Sequence, residues 1–251
     1  MKISAVIITF NEERNVGACL ESLSFADEIV VVDSGSTDGT EGVCRRDPRV
    51  RWFPEEWKGF GRQKGSAVDK ASHPWVFSID ADERASEELR AGIAGIDLAA
   101  AAFSGYRVAR KSFFGGAWVR HCGWYPDETV RLFRKDRCRF EEREVHESVR
   151  CDGPVGRLSG DLLHYTYRDT SDYVSRMNRY SSLAALEVRK EGRRVSGIDL
   201  AARPLFAFLK TFVLRRGFLD GMLGLKVSIL YACYTFYKYV KAWEAGGEGT
   251  R

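Results

Sequence analysis

Asp80, Asp82 and Glu83 close the stretch Trp75-Val-Phe-Ser-Ile-Asp-Ala-Asp-Glu83, and they are the side chains best placed to do chemistry. Trp75 to Ile79 is mostly apolar and reads as a short buried strand, which delivers the three acids just past its C-terminal end. In an open α/β sheet that edge is where ligands bind. Carboxylates so closely spaced repel one another unless a positive charge sits between them. A hard divalent cation carrying a nucleotide diphosphate meets that need, because Mg²⁺ takes one or two carboxylates and completes its shell with phosphate oxygens. The same residues also suit a plain acidic turn, with Ser86 as N-cap of the next helix and Glu87 and Glu88 in its first turn.

Two upstream segments bring further polar groups to strand ends. Ile3 to Phe10 is a near-continuous apolar run, the pattern of a strand covered on both faces, and Thr9, Asn11 and Glu13 leave it. Asn11 is also the expected N-cap of a helix carrying Val16, Cys19, Leu20 and Leu23 on one face. Asp27 to Asp33 is a second buried strand, ending in Ser34-Gly-Ser-Thr-Asp-Gly-Thr40. Strand, helix and strand in this order make a parallel βαβ unit. Asp33 suits hydrogen bonds from a ribose or a base edge, or alternatively a structural Asx turn. Neither GxGxxG nor GK[ST] follows the first strand, which disfavours a Rossmann dinucleotide site and a P-loop.

The elements that must position these groups follow in order. A short helix is expected over 40–46, an edge strand over 49–53, a helix over 59–71 that ends before Pro74, and a helix over 89–102. From Tyr106 the texture changes to short aromatic strands at 106–109, 117–120, 129–133, 139–149 and 156–165; helix returns at 169–190 and again from 200 to 243. The fold class is α/β, and 251 residues suffice for one large domain with an appendage. The net charge of +4 is modest, but arginines concentrate between Arg107 and Arg150 and the tail beyond Arg203 is basic. Such patches suit phosphates, acidic sugars or an anionic membrane surface, or form a solvated basic face; no nucleic-acid partner is indicated. The six cysteines lack CxxC or zinc spacing, and the chain runs from Met1 directly into a strand, so they read as reduced cytosolic packing thiols.

Val6-Ile-Ile-Thr-x-Asn11-Glu-Glu, Ile29 to Thr40 and Phe77-Ser-Ile-Asp-Ala-Asp-Glu83 together resemble the three signature segments of family 2 glycosyltransferases, in matching order and spacing. The resemblance implies the GT-A fold: a Rossmann-like, mostly parallel sheet flanked by helices, a smaller acceptor-side sheet and a C-terminal helical extension. It implies a donor-binding half over 1–105, an acceptor-side half over 106–168 and a helical, membrane-associating region over 169–251. It also implies a UDP-sugar donor, with Thr9, Asn11, Glu13 and Asp33 around the nucleoside, Asp80 near the ribose and Asp82 holding Mg²⁺ or Mn²⁺ on the diphosphate. Lys64, on the helix before the motif strand, is a candidate for the phosphates, with a solvated lysine as the alternative.

Gly123-Trp-Tyr-Pro-Asp127 followed by Arg131-Leu-Phe-Arg134 is similar to the family's acceptor-side segment, though many relatives carry Glu-Asp where this chain has Pro126-Asp127. The likeness makes Asp127 the first choice of general base, with Glu147 of Val145-His-Glu-Ser148 second. His146 and His164 are candidates for a supplementary metal or phosphate contact, and Arg131 for phosphate or acceptor; each residue also has a purely structural reading. The order of motifs through His164-Tyr-Thr-Tyr and Asn178-Arg-Tyr-Ser looks most like the lipopolysaccharide core glucosyltransferases that act on inner-core heptose. This implies an inverting transfer, with UDP-glucose as donor and a glycolipid acceptor at the inner face of the bacterial inner membrane. A non-catalytic nucleotide-sugar-binding protein and a transferase for another envelope polysaccharide are the alternatives. Met222 to Tyr237 is apolar but too short to span a bilayer and carries Lys226. Flanked by Arg215, Arg216, Lys238 and Lys241, it suits an interfacial segment on anionic lipid, or a core-packing or dimerising helix.

Overall fold

The computed structural model describes residues 1–141, 148–192 and 195–246. The chain opens with β1 (Ile3–Thr9), α1 (Glu13–Glu21), β2 (Glu28–Asp33), α2 (Thr40–Cys44), β3 (Val50–Pro54), α3 (Phe60–Lys70) and β4 (Trp75–Ser78). β1 lies between β2 and β4, all three parallel, and β3 extends the parallel half beyond β2. Alternation along these strands divides two cores. Ala5, Ile7, Ile29, Val31 and Phe77 face one, against α1; Val6, Val30, Val32 and Val76 face the other, where Ala67 and Val68 of α3 cover them. Coverage on both faces is why these strands are continuously apolar.

After the acidic turn come β5 (Glu83–Ala85), α4 (Glu87–Ala94), β6 (Gly105–Phe114), β7 (Ala117–Trp118), β8 (Asp127–Arg134), β9 (Cys138–Phe140), β10 (Val149–Cys151) and β11 (Val155–Tyr167). Among the described residues the large sheet runs β3-β2-β1-β4-β8-β6-β11-β5, with β7 beside β6. β8 joins β4 antiparallel, β6 joins β8 antiparallel, and β5 folds antiparallel onto β11. The sheet therefore passes from a parallel half to an antiparallel half. The expected α/β class with helices flanking a Rossmann-like half is what the chain adopts; the smaller sheet is the pair β9–β10.

Two compact units arise, one from 1–110 and 127–164, the other from 111–126 and 165–251. In the second, α5 (Thr170–Lys190), α6 (Gly197–Leu209) and α7 (Gly221–Glu244) follow β11. α5 is capped by Asp169, whose carboxylate accepts from Asp172 N at 2.8 Å. α6 opens on a capping box between Ser196 and Asp199. A single π-turn over Lys210–Leu214 and a 3₁₀ turn over Gly217–Asp220 connect α6 to α7. Among the described residues no helix is long and apolar enough to cross a membrane.

Four local expectations need correction. The helix expected over 89–102 is α4, which ends at Ala94: Gly92 and Gly95 are poor helix formers, and the chain turns so that Leu98 O accepts from Trp75 Nε1 at 3.2 Å. Asn11 is not an N-cap; Glu12 precedes α1, without a side-chain cap, while Asn11 adopts a left-handed conformation. The strand expected over 139–149 is two strands, β9 and β10, paired antiparallel. That pairing sets Cys138 opposite Cys151, and the two are disulfide-bonded, which corrects the reading of six reduced thiols; Cys19, Cys44, Cys122 and Cys233 remain thiols.

Candidate active site

The C-terminal ends of β1, β2 and β4 share one edge of the sheet, and the candidate residues Thr9, Asp33 and Asp80 lie at or just past those strand ends. Asp33 is buried, and its carboxylate accepts from Thr9 Oγ1 at 2.8 Å, Gly35 N at 3.0 Å and Ser36 N at 2.8 Å. This is the Asx turn that the sequence allowed, and Gly35 at φ 89° supplies its positive-φ residue. Asn11 N donates to Ser36 Oγ, and Thr37 N donates to Asn11 Oδ1, both at 2.8 Å. Gly39 N donates to Glu13 Oε2 at 3.1 Å. Thr9, Asn11, Glu13 and Asp33 are thus brought together, and in this state they staple the loop after β2 to the end of β1. Ser34 Oγ within that loop is a buried polar atom with no hydrogen-bond partner. Gln63 Nε2, on α3 beside Lys64, is another. Buried polar atoms normally have partners, so these two are exceptions beside the site.

The acidic turn is wired into a chain of alternating charges. Lys64 Nζ lies 2.7 Å from Asp80 Oδ1, and Lys64 is buried rather than solvated. Arg131, also buried, spans Asp80 Oδ2 at 3.4 Å and Glu83 Oε1 at 2.6 Å. Arg110 Nη1 reaches the same Glu83 oxygen at 3.5 Å. It also donates to Asp127 Oδ2 from Nε at 3.0 Å and from Nη2. The order Lys64, Asp80, Arg131, Glu83, Arg110, Asp127 therefore links the end of β4 to the candidate base. Burial alone would push Asp80 up; the charges of Lys64 and Arg131 overcome it and hold this carboxyl well below the ordinary range. Burial, then the charges of Glu83, Asp82 and Asp80, push the Cys19 thiol up, so that cysteine stays protonated beneath the turn.

Asp82 faces a different partner. His164 pairs opposite Glu83 in the β11–β5 ladder, and its Nε2 comes within 3.3 Å of Asp82 Oδ2, both side chains being largely buried. One carboxylate and one imidazole at this distance suit a divalent cation that draws its remaining ligands from phosphate oxygens and water. Among the described residues no group of three or more His, Cys, Asp or Glu side chains could hold a metal by itself. His146 and Glu147 lie outside the described residues.

Several of these contacts could not be anticipated. Arg110 had no motif to mark it; it meets Asp127 because the β6–β8 register sets the two opposite one another. Glu83, one of the three acids of the turn, is wholly buried and is the hub of the chain, and Ser86 caps α4 as expected.

Residues 4–145 match the family described as Glycosyl transferase family 2. The chain is also 32% identical, over 97% of its length and 93% of the relative's, to the lipopolysaccharide core biosynthesis glycosyltransferase LpsC of Rhizobium meliloti (strain 1021). It is a family 2 glycosyltransferase. An uncharacterized glycosyltransferase of Rickettsia typhi is 30% identical to this transferase over 97% of the chain and 87% of the relative. Among solved structures, the mannosyltransferase PcManGT from Pyrobaculum calidifontis, in complex with GDP-Man and Mn²⁺, aligns at a TM-score of 0.56 with 16% identity, covering 97% of this chain and 87% of that one. S. aureus TarS 1–349 in complex with UDP aligns at 0.50 with 18% identity, covering 100% and 92%. Likeness at that identity speaks to the fold alone, and the fold is GT-A.

Proposed function

We propose that this glycosyltransferase moves a sugar, glucose in our reading, from a UDP-sugar to a hydroxyl of a glycolipid acceptor such as lipopolysaccharide inner core, with inversion. The observation that supports this chemistry is the continuous ion chain from Lys64 to Asp127, which ties the acidic turn after β4 to a partly exposed carboxylate. The likeness to LpsC over nearly the whole chain supports the acceptor class.

Thr9, Asn11, Glu13 and Asp33 form the nucleoside end of the donor site, and Asp80 lies nearest the ribose. Lys64 adds positive charge beside Asp80, where the phosphates follow. Asp82 and His164 would hold Mg²⁺ or Mn²⁺, which supplies charge stabilisation to the departing diphosphate. Residues 1–105 serve the donor and 106–168 the acceptor. Asp127 accepts the proton of the incoming hydroxyl as its oxygen bonds to the anomeric carbon. The bond from that carbon to the UDP oxygen breaks in the same displacement, its electron pair leaving on the diphosphate. Arg110 orients the Asp127 carboxylate through its two hydrogen bonds to Oδ2. Arg131 braces Asp80 against Glu83, so its role is to hold the acidic turn in shape.

A panel of nucleotide sugars, read by UDP release and thermal shift with and without Mn²⁺, tests the donor. UDP-sugars, UDP-glucose foremost, are expected to give a metal-dependent shift that Asp82→Ala abolishes. A metal-dependent shift unchanged in Asp82→Ala would remove that residue from the cation site. Selective turnover of a GDP-sugar would overturn the donor assignment.

A further inference from the structure

In the helical unit, the hairpin formed by α6, its two connecting turns and the start of α7 inverts the usual distribution of surface. Helices of a water-soluble domain bury an apolar stripe and show a polar one. Here the inward positions of α6 and its π-turn include Ala207 and Thr211, both buried, while large apolar side chains point outward. Leu205 is 61% exposed, Phe206 60%, Leu214 70%, Leu219 56% and Met222 78%. Isolated exposed apolar residues are ordinary; this many within one short segment mark an interaction surface.

The hairpin is a built feature. A Cβ on Gly224 would fall 1.8 Å from Gly217 O, so the first turn of α7 sits directly on the 3₁₀ turn, and only glycine allows that approach. Phe212 packs edge-on against Phe218 across the connection, at 6.3 Å between ring centroids. The apolar segment is thus carried on a packed frame.

Charge decides what covers it. Lys210, Arg215 and Arg216 are exposed among the apolar residues. Asp220, the sole acid between Leu200 and Trp243, is turned inward. Its carboxylate accepts from Arg120 N at 3.0 Å and His121 N at 2.8 Å, and lies 2.7 Å from His121 Nδ1. What reaches the surface is cationic and apolar together. A second copy docked on the same face by a two-fold axis would press these cations against their own counterparts. A surface that is negative at its boundary and apolar beneath accepts both features.

We propose that the segment from Leu205 to Met222 is a docking surface for an anionic lipid bilayer, with Leu205, Phe206, Leu214 and Met222 entering the acyl boundary and Lys210, Arg215 and Arg216 meeting lipid phosphates. This surface lies on the end of α6 and the turns before α7, and it shares Met222 with the interfacial segment expected over 222–237. The inference gives the glycolipid-acceptor reading its use and rests on that reading for nothing else.

The test is co-sedimentation of the full chain with vesicles of phosphatidylethanolamine and phosphatidylglycerol, against vesicles of phosphatidylcholine alone. Neither donor nor acceptor is added. Preferential binding to the anionic vesicles, weakened by salt, is expected. Lys210→Gln with Arg216→Gln should weaken it by about 25-fold, at roughly 5-fold per cation near the surface. Leu205→Ser with Phe206→Ser should weaken it by at least about tenfold, from the apolar area no longer buried. Thermal melting of each variant verifies the fold. Failure of the wild-type chain to prefer anionic vesicles would overturn the proposal, as would unchanged binding by the serine pair. So would sedimentation velocity showing a lipid-independent dimer that the serine pair dissociates, since that assigns the face to a second copy. Failure of UDP-sugar turnover with vesicle binding intact would overturn the donor reading and leave the surface standing.

Discussion

The strand edge around Asp80 and the hairpin around Leu214 treat charge in opposite ways. At the strand edge, Lys64, Arg131 and Glu83 are buried and each charge meets a counter-charge, in a chain that ends at Asp127. At the hairpin, Lys210, Arg215 and Arg216 are exposed beside exposed leucines and phenylalanines, and the one local acid is turned away. A closed network uses its charges on one another and holds a geometry. An open cluster keeps its charges for something outside the protein. The first arrangement is that of a site shaped before its substrate arrives; the second is that of a surface waiting for a partner.

The contrast is most sharply broken at Glu83. Glu83→Gln would leave the Arg131 guanidinium buried without its main counter-charge, a change that typically costs about 3–5 kcal/mol. Urea unfolding should show a loss of that order, accompanied by loss of transfer. A loss below about 1 kcal/mol would mean that water or Asp80 readily replaces Glu83, and that the network is not closed.

Next comes Asp127, where the chain opens toward solvent. Asp127→Asn should keep donor binding and lower kcat by about 10²-fold or more, since it removes the proton acceptor without altering shape. Isothermal titration with UDP and initial rates of transfer separate the two effects. Should Glu147→Gln reproduce that behaviour while Asp127→Asn stays active, the base is Glu147 and the ion chain serves geometry only.

How much of this was legible before the structure follows from the range of each interaction. The parallel half was readable because its signals are local: strands covered on both faces are continuously apolar, and their polar ends announce themselves, as at Thr9, Asp33 and Asp80. The hub role of Glu83 was not readable. It depends on β11 returning antiparallel to β5 and on β6 pairing with β8, registers that only tertiary packing selects. The Cys138–Cys151 bond was hidden for the same reason, because thirteen residues of separation say nothing about two strands folding back in register. Alanine content around 99–102 misled through propensity, which the turn at Leu98 overrides. Arg110 shows the limit most plainly: its identity is ordinary, and its partner across the ladder gives it a role.

A smaller effect is expected from Glu28, which ties the base of the parallel sheet. Its carboxylate accepts from Ser4 Oγ at 2.9 Å and Ser72 N at 2.7 Å, with Arg51 at 3.1 Å. Burial works to raise it, but these hydrogen bonds prevail and bring it from 4.5 down to about 2. A carboxyl depressed in the folded state stabilises above its unfolded value, and the contribution is lost as pH falls from about 4.5 toward 2. Discounted for solvent around Arg51, Glu28→Gln should cost about 1–2 kcal/mol at pH 7 and little at pH 2. Urea midpoints at the two pH values check this. An equal loss at both would assign Glu28 a packing role instead of an electrostatic one.

The smallest expected change in stability, and the one that tests the comparison from its other side, belongs to the hairpin. In a buried core, removing a large apolar side chain leaves a cavity; Phe77, wholly buried, should cost about 3–5 kcal/mol when changed to alanine. Leu205 and Phe206 contribute little to folding if they stay in water in the folded chain, and replacing them by serine should alter stability by no more than about 0.5 kcal/mol. Solubility in the absence of lipid should rise, since an exposed apolar patch also promotes aggregation. Thermal melts of Leu205→Ser with Phe206→Ser, set beside Phe77→Ala, measure the difference directly. A loss of several kcal/mol in the serine pair would show that these side chains are covered within the folded chain in solution, and the hairpin would then belong with the core instead of opposite it.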